Sequence, residues 1–163
     1  MKNDILTAFV MIFVALGGYY IFGQENKTEN ITESMMQNES SVGPKITVYK
    51  SPTCGCCVGY VGELEKEGFD VNMVVIEDMS TVKKEHNIPR EMESCHTSVI
   101  DGYFIEGHVP ISVVNDLIEE KPEIDGIALP NMPAGTPGMP GIKTKPWEIY
   151  QLIDGEVSSY LTL

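Results

Sequence analysis

Residues 45–76, KITVYKSPTCGCCVGYVGELEKEGFDVNMVVI, decide how the chain folds. Residues 45–50 are rich in β-branched and aromatic side chains and predict a strand. Residues 58–67 place Val58, Val61 and Leu64 at helical spacing and stop at Gly68, a residue suited to the position just past a helix end. Residues 69–76 predict a second strand, with Phe69, Val71, Met73 and Val75 on one face and Val74 and Ile76 on the other, the pattern of a parallel strand buried on both sides. The segment reads β-α-β, with the cysteines at the junction of strand and helix.

Downstream, Ser80 can cap a short helix over residues 81–86 that ends at Asn87 and Pro89. Residues 97–100 and 103–105 are short apolar strands joined by Asp101-Gly102, a dipeptide suited to the positive-φ positions of a tight hairpin. Pro110 opens a helix whose inner face is Val113, Val114, Leu117 and Ile118 and which ends near Pro122. The order β-α-β-α-β-β-α is that of a single α/β, thioredoxin-like domain. Residues 126–146 (GIALPNMPAGTPGMPGIKTKP) are crowded with glycine and proline and far exceed the usual connection of about 4–6 residues, so they predict a functional or disordered loop. Residues 147–153 and 156–161, joined by Asp154-Gly155, predict a terminal hairpin that extends the sheet.

Upstream, residues 5–22 (ILTAFVMIFVALGGYYIF) carry no charge and approach the ~20 apolar residues that a membrane helix needs. Their aromatic end, Tyr19, Tyr20 and Phe22, favours an uncleaved anchor over a secretory core, which is shorter and ends in a small-x-small cleavage site. Residues 1–23 are therefore read as a signal anchor or signal peptide. Residues 24–44 are read as an acidic tether too polar to fold, and residues 45–163 as the folded domain. Lys2 then stays in the cytoplasm and the domain is exported, anchored on the extracytoplasmic side of the membrane, or periplasmic or secreted after cleavage. Asn26, Asn30 and Asn38 stand in glycosylation sequons within the tether. With 24 acidic against 11 basic side chains, the net charge of −13 repels phosphate backbones, which argues against nucleic acid and for cations as partners.

The four cysteines, Cys54, Cys56, Cys57 and Cys95, are too few and too closely grouped for a disulfide scaffold, and point instead to redox chemistry or a metal site. Cys54-Gly55-Cys56-Cys57 lies at a helix N-terminus, where the peptide dipoles stabilise thiolate. Thiolate is the nucleophile of disulfide exchange and also a ligand for soft metals, so position leaves both chemistries open. Exchange needs only Cys54 and Cys57; Cys56 is surplus to it and useful to a cluster of bridging thiolates. A structural Cys54–Cys57 disulfide is the plainer alternative. Cys95-His96 precedes the third strand, where it would bring a further sulfur and an imidazole to the cluster. His108, at the end of the hairpin, is a second imidazole candidate, whereas His86, in KKEHN, reads as solvent-facing. Met132 and Met139 offer soft thioethers suited to Cu(I), from a loop where a core role is hard to arrange.

The runs VYKSPTCGCC, SCHT, DGY, IEGHVP and LPNMPAGTPGM together resemble the CopG-like family of exported copper-resistance proteins, over roughly residues 46–150. The resemblance implies a thioredoxin-like fold with copper held by the cysteine cluster, as a multinuclear centre that changes redox state. By match to the motifs it implies Cys54, Cys56, Cys57 and Cys95 as ligands, with His96 and His108 as direct or nearby ones. Val58, where relatives often carry glycine or a polar residue, and the anchor-like N-terminus are departures from the pattern. Two other functions stay open. One is a thiol-disulfide oxidoreductase using Cys54 and Cys57, although Cys95-His96-Thr97 stands where such enzymes usually carry a cis-proline. The other is a non-catalytic module that binds another exported copper protein through the Pro/Gly loop. Zinc is the competing ion, since four Cys/His ligands also satisfy a tetrahedral structural site.

Overall fold

The computed structural model describes residues 43–163; the hydrophobic run at residues 5–22 and nearly all of the tether lie outside the described residues. Among those described, no helix is long and apolar enough to cross a membrane. β1 (Lys45–Lys50) alternates, turning Ile46 and Val48 inward, and leads into α1 (Gly55–Lys66). Next come β2 (Asp70–Val75), α2 (Ser80–Glu85), a 3-10 turn (Arg90–Met92), β3 (His96–Ile100), β4 (Tyr103–Glu106) and α3 (Ile111–Glu120). β5 (Gly126–Ala128), β6 (Glu148–Ile153) and β7 (Glu156–Thr162) complete the chain.

The strands form one seven-stranded mixed sheet in the order β2-β1-β3-β4-β5-β6-β7. β1 runs parallel to β2 and β4 parallel to β5; the other neighbours are antiparallel. Successive side chains of a strand face opposite ways, and the central strands use both faces. Ile105 and Ile127 join the larger core with Tyr60 and Leu64 of α1 and Val114 and Leu117 of α3. Phe104 and Ala128 join a smaller one with Ile88 and Leu152. Burying a side chain such as Leu64 or Leu117 stabilises the fold by roughly 1.5–3 kcal/mol. The β3–β4 turn is built as anticipated, Asp101 and Gly102 both taking positive φ (49° and 89°).

Several elements depart from the sequence expectation. α1 starts at Gly55 and not at residue 58, so its buried stripe is Cys57, Tyr60, Val61 and Leu64, and Val58 is 52% exposed. The side chain of Cys57 occupies the apolar phase that Val58 was expected to hold. β2 is parallel, but it is the edge strand, paired on one side only, and Met73 and Val75 are exposed. Ser80 is the first residue of α2 and not its cap; the Asp78 carboxylate accepts the Ser80 N–H at 2.9 Å. The Pro/Gly stretch is not loop throughout, because residues 126–128 form β5, buried between β4 and β6. His86 is half-buried, its ring centroid 5.7 Å from that of Phe104.

Candidate metal centre

Cys54 is the N-cap of α1 and makes no side-chain capping bond, so Cys56 and Cys57 lie in the first turn of the helix. Cys54 and Cys57 are joined by a disulfide, while Cys56 and Cys95 are free. Cys56 Sγ lies 3.5 Å from Cys54 Sγ and 3.9 Å from Cys95 Sγ. Cys95 comes from the segment entering β3, which the antiparallel pairing of Lys50 with His96 sets beside the end of β1. All four sulfurs fall within 4.8 Å of one another. Cys95, His96 and His108 form a second group within the same span, so Cys95 belongs to both.

His108 Nδ1 is 2.7 Å from the Pro137 carbonyl, and Nε2 is 3.1 Å from Cys95 Sγ. A carbonyl can only accept, so Nδ1 carries the proton and the Nε2 lone pair faces the sulfur. His96 Nδ1 lies 3.3 Å from the same sulfur, and its Nε2 is buried with no partner. Tyr60 packs against both imidazoles, at 4.6 and 5.5 Å between ring centroids, and its hydroxyl donates to the Val109 carbonyl at 2.9 Å.

Burial pushes the Cys95 thiol up to about 12, with the neighbouring Cys56 adding to the shift. Burial likewise drives His96 down to about 3, helped by the charges of His108 and Lys83. His108 is lowered by burial, against the hydrogen bond to Pro137. Burial thus favours the neutral forms of Cys95, His96 and His108, and a bound cation would displace the Cys95 thiol proton. Four sulfurs and two imidazoles, one of them with an orphaned ring nitrogen, fit a soft metal ion. Cys54 and Cys57 can take part as thiolates only after two-electron reduction of their disulfide.

Two solved structures described as "Copper resistance protein copG", Form 1 and Form 2, are 40% and 39% identical to the chain. Each aligns with a TM-score of 0.68, covering 74% of this chain and 98% of the other. The chain belongs to the CopG family. The family described as "Protein of unknown function, DUF411" also matches, over residues 92–139, and no curated protein does.

In this CopG family member, Cys54, Cys56, Cys57, Cys95, His96 and His108 come together as one connected group. The thioether candidates differ. Met132 is 42% exposed with φ at 45°, whereas Met139 is half-buried, two residues past the carbonyl that holds His108. The sequence reading missed a buried charge pair behind the site. Lys83 of α2 pairs with Glu106 at the end of β4, and both are almost fully buried. One signal was available: Glu106 is in phase with Phe104, whose side chain faces a core. Tyr60 was also missed, although Leu64 four residues on marks the same helical face.

Proposed function

We propose that this protein binds copper, for copper handling or resistance, holding Cu(I) among the thiolates of Cys54, Cys56, Cys57 and Cys95 with nitrogen from His96 and His108. The observation that carries the reading is the pair of adjoining donor groups that share Cys95. Together they offer more soft donors than one tetrahedral ion uses, and a thiolate can bridge two Cu(I) ions. The family relationship to proteins described as copper resistance proteins supports the same reading. A thioredoxin-like fold is part of it, supported by the β2-β1-β3-β4 order with β3 antiparallel to β1 and β4. Export, by an anchor or a cleaved signal at residues 1–23, is part of it too.

A second reading, thiol-disulfide exchange by Cys54 and Cys57, is favoured by the disulfide itself and by Cys56 Sγ standing 3.5 Å from Cys54 Sγ. Among the described residues there is no cis peptide bond, and Cys95-His96 occupies the approach to the disulfide where exchange enzymes carry a cis-proline. That favours the metal.

The test is metal analysis and X-ray absorption on the reduced protein after Cu(I) loading. More than one copper per chain is expected, with mainly sulfur neighbours, a minority of nitrogen and a short copper-copper distance. Chelation should leave the circular dichroism unchanged, because the two apolar cores stand without the donor cluster. One tightly held zinc whose removal unfolds the chain would refute the copper assignment.

A further inference from the structure

Glu106 closes β4 with its carboxylate on the α2 side of the sheet, fully buried, and Lys83 supplies its counter-charge. A buried ion pair is weak evidence for stability, since a well-packed apolar pair of similar volume often does as well. The carboxylate has further partners that an apolar residue could not serve. Glu106 Oε1 accepts the Ser94 N–H as well as the Lys83 ammonium, and Oε2 accepts the Thr97 hydroxyl at 2.6 Å. Lys83 Nζ also reaches the Thr97 oxygen, at 3.4 Å. Ser94 precedes and Thr97 follows the dipeptide Cys95-His96. One carboxylate therefore grips both ends of the segment that carries the sulfur common to the two donor groups.

We infer that Glu106, charge-balanced by Lys83, is the positioning residue of the centre: its hydrogen bonds to Ser94 and Thr97 hold Cys95 Sγ between Cys56 and His108. The inference deepens the copper reading, on which its metal readout rests. The hydrogen bonds, not the charge, do the positioning. An uncharged acceptor at position 106 keeps the grip, and an apolar side chain of similar size releases it.

Two double variants separate the effects. Lys83→Met with Glu106→Gln removes the charge pair and keeps an acceptor; Lys83→Met with Glu106→Leu removes both. Each is measured for thermal midpoint, for Cu(I) affinity by chelator competition, and for sulfur and nitrogen neighbours by X-ray absorption. Each is also measured, metal-free and reduced, for the rate at which a neutral alkylating agent labels Cys95, read by mass spectrometry of the Cys95 peptide. The leucine form should fold, bind Cu(I) about 10–100-fold more weakly with fewer nitrogen neighbours, and label faster at Cys95. The glutamine form should stay close to wild type on both readouts. If the leucine form matches wild type in affinity and in labelling, the pair is merely structural and the inference is wrong. Wild-type protein that takes up no copper would refute the copper reading alone, and the labelling comparison would still decide the positioning. Should the leucine form not fold, Thr97→Val removes one arm of the grip, and unchanged Cys95 labelling in that variant overturns the inference.

Discussion

His96 holds its imidazole neutral because burial first, and the charges of His108 and Lys83 second, oppose the added proton, lowering its pKa from 6.5 to about 3. Between those values the unfolded chain binds a proton that the folded one does not. The stability tied to His96 is therefore complete above about pH 6.5 and is lost as pH falls toward 3. His108 shifts in the same direction. Glu106, raised by burial, works in the opposite sense, costing stability as pH rises past its ordinary range. Metal-free, reduced protein should lose on the order of a few kcal/mol of unfolding free energy between pH 7 and pH 4, since each tenfold change in proton affinity is worth about 1.4 kcal/mol. Denaturant titrations across that range check it, and His96→Phe should flatten the slope; a wild-type stability flat with pH would remove the argument. At this scale the donors were legible because thiol and imidazole declare their chemistry by type. Lys83 and Glu106 were not, since a charge in KKEHN or at a strand end reads as solvated until the fold brings the two together.

The Pro/Gly loop acts as an element without regular structure of its own. Gly138 sits at φ 75°, and a Cβ there would come within 2.4 Å of the Tyr60 backbone nitrogen and 2.8 Å of the Gly59 carbonyl carbon. The loop thus lies backbone to backbone on α1, which keeps the Pro137 carbonyl on His108 Nδ1 at 2.7 Å. Gly138→Ala adds both a strained φ and a clash that no side-chain rotation can relieve, so it should cost roughly 1–3 kcal/mol. It should also free His108 from Pro137, mixing its tautomers. Thermal melts and nitrogen NMR of the imidazoles check this, and an unchanged midpoint with Nδ1 still protonated would show that the loop does not anchor the ring. Elements with strong local signals were legible: α3 behind Pro110, and the hairpins at Asp101-Gly102 and Asp154-Gly155. β5 was not, because three buried residues show no period. The exposure of β2 was also hidden, because apolar alternation reveals a strand but not that it will pair on one side only.

For the molecule as a whole, the order of elements could be read along the chain, but the insertion of β5 between β4 and β6 depends on contacts remote in sequence. Where the molecule works depends on the segment before the sheet. Residues 5–22 carry no charge, come after Lys2 and precede the acidic stretch at residues 24–44, and on the export proposed above this polarity would retain the basic end in the cytoplasm and place the tether and the domain outside. A Cys54–Cys57 disulfide persists most readily in an oxidising exported compartment. In that proposed location, copper arriving from outside would meet the proposed site before reaching the cytoplasm, and reduction of the disulfide would release two further thiolates for it. Protease added to intact cells should therefore remove the domain while a cytoplasmic marker survives. If the domain stays protected while an exported control is cut, the chain resides inside, and its disulfide must then be explained as an intermediate of exchange in a reducing compartment.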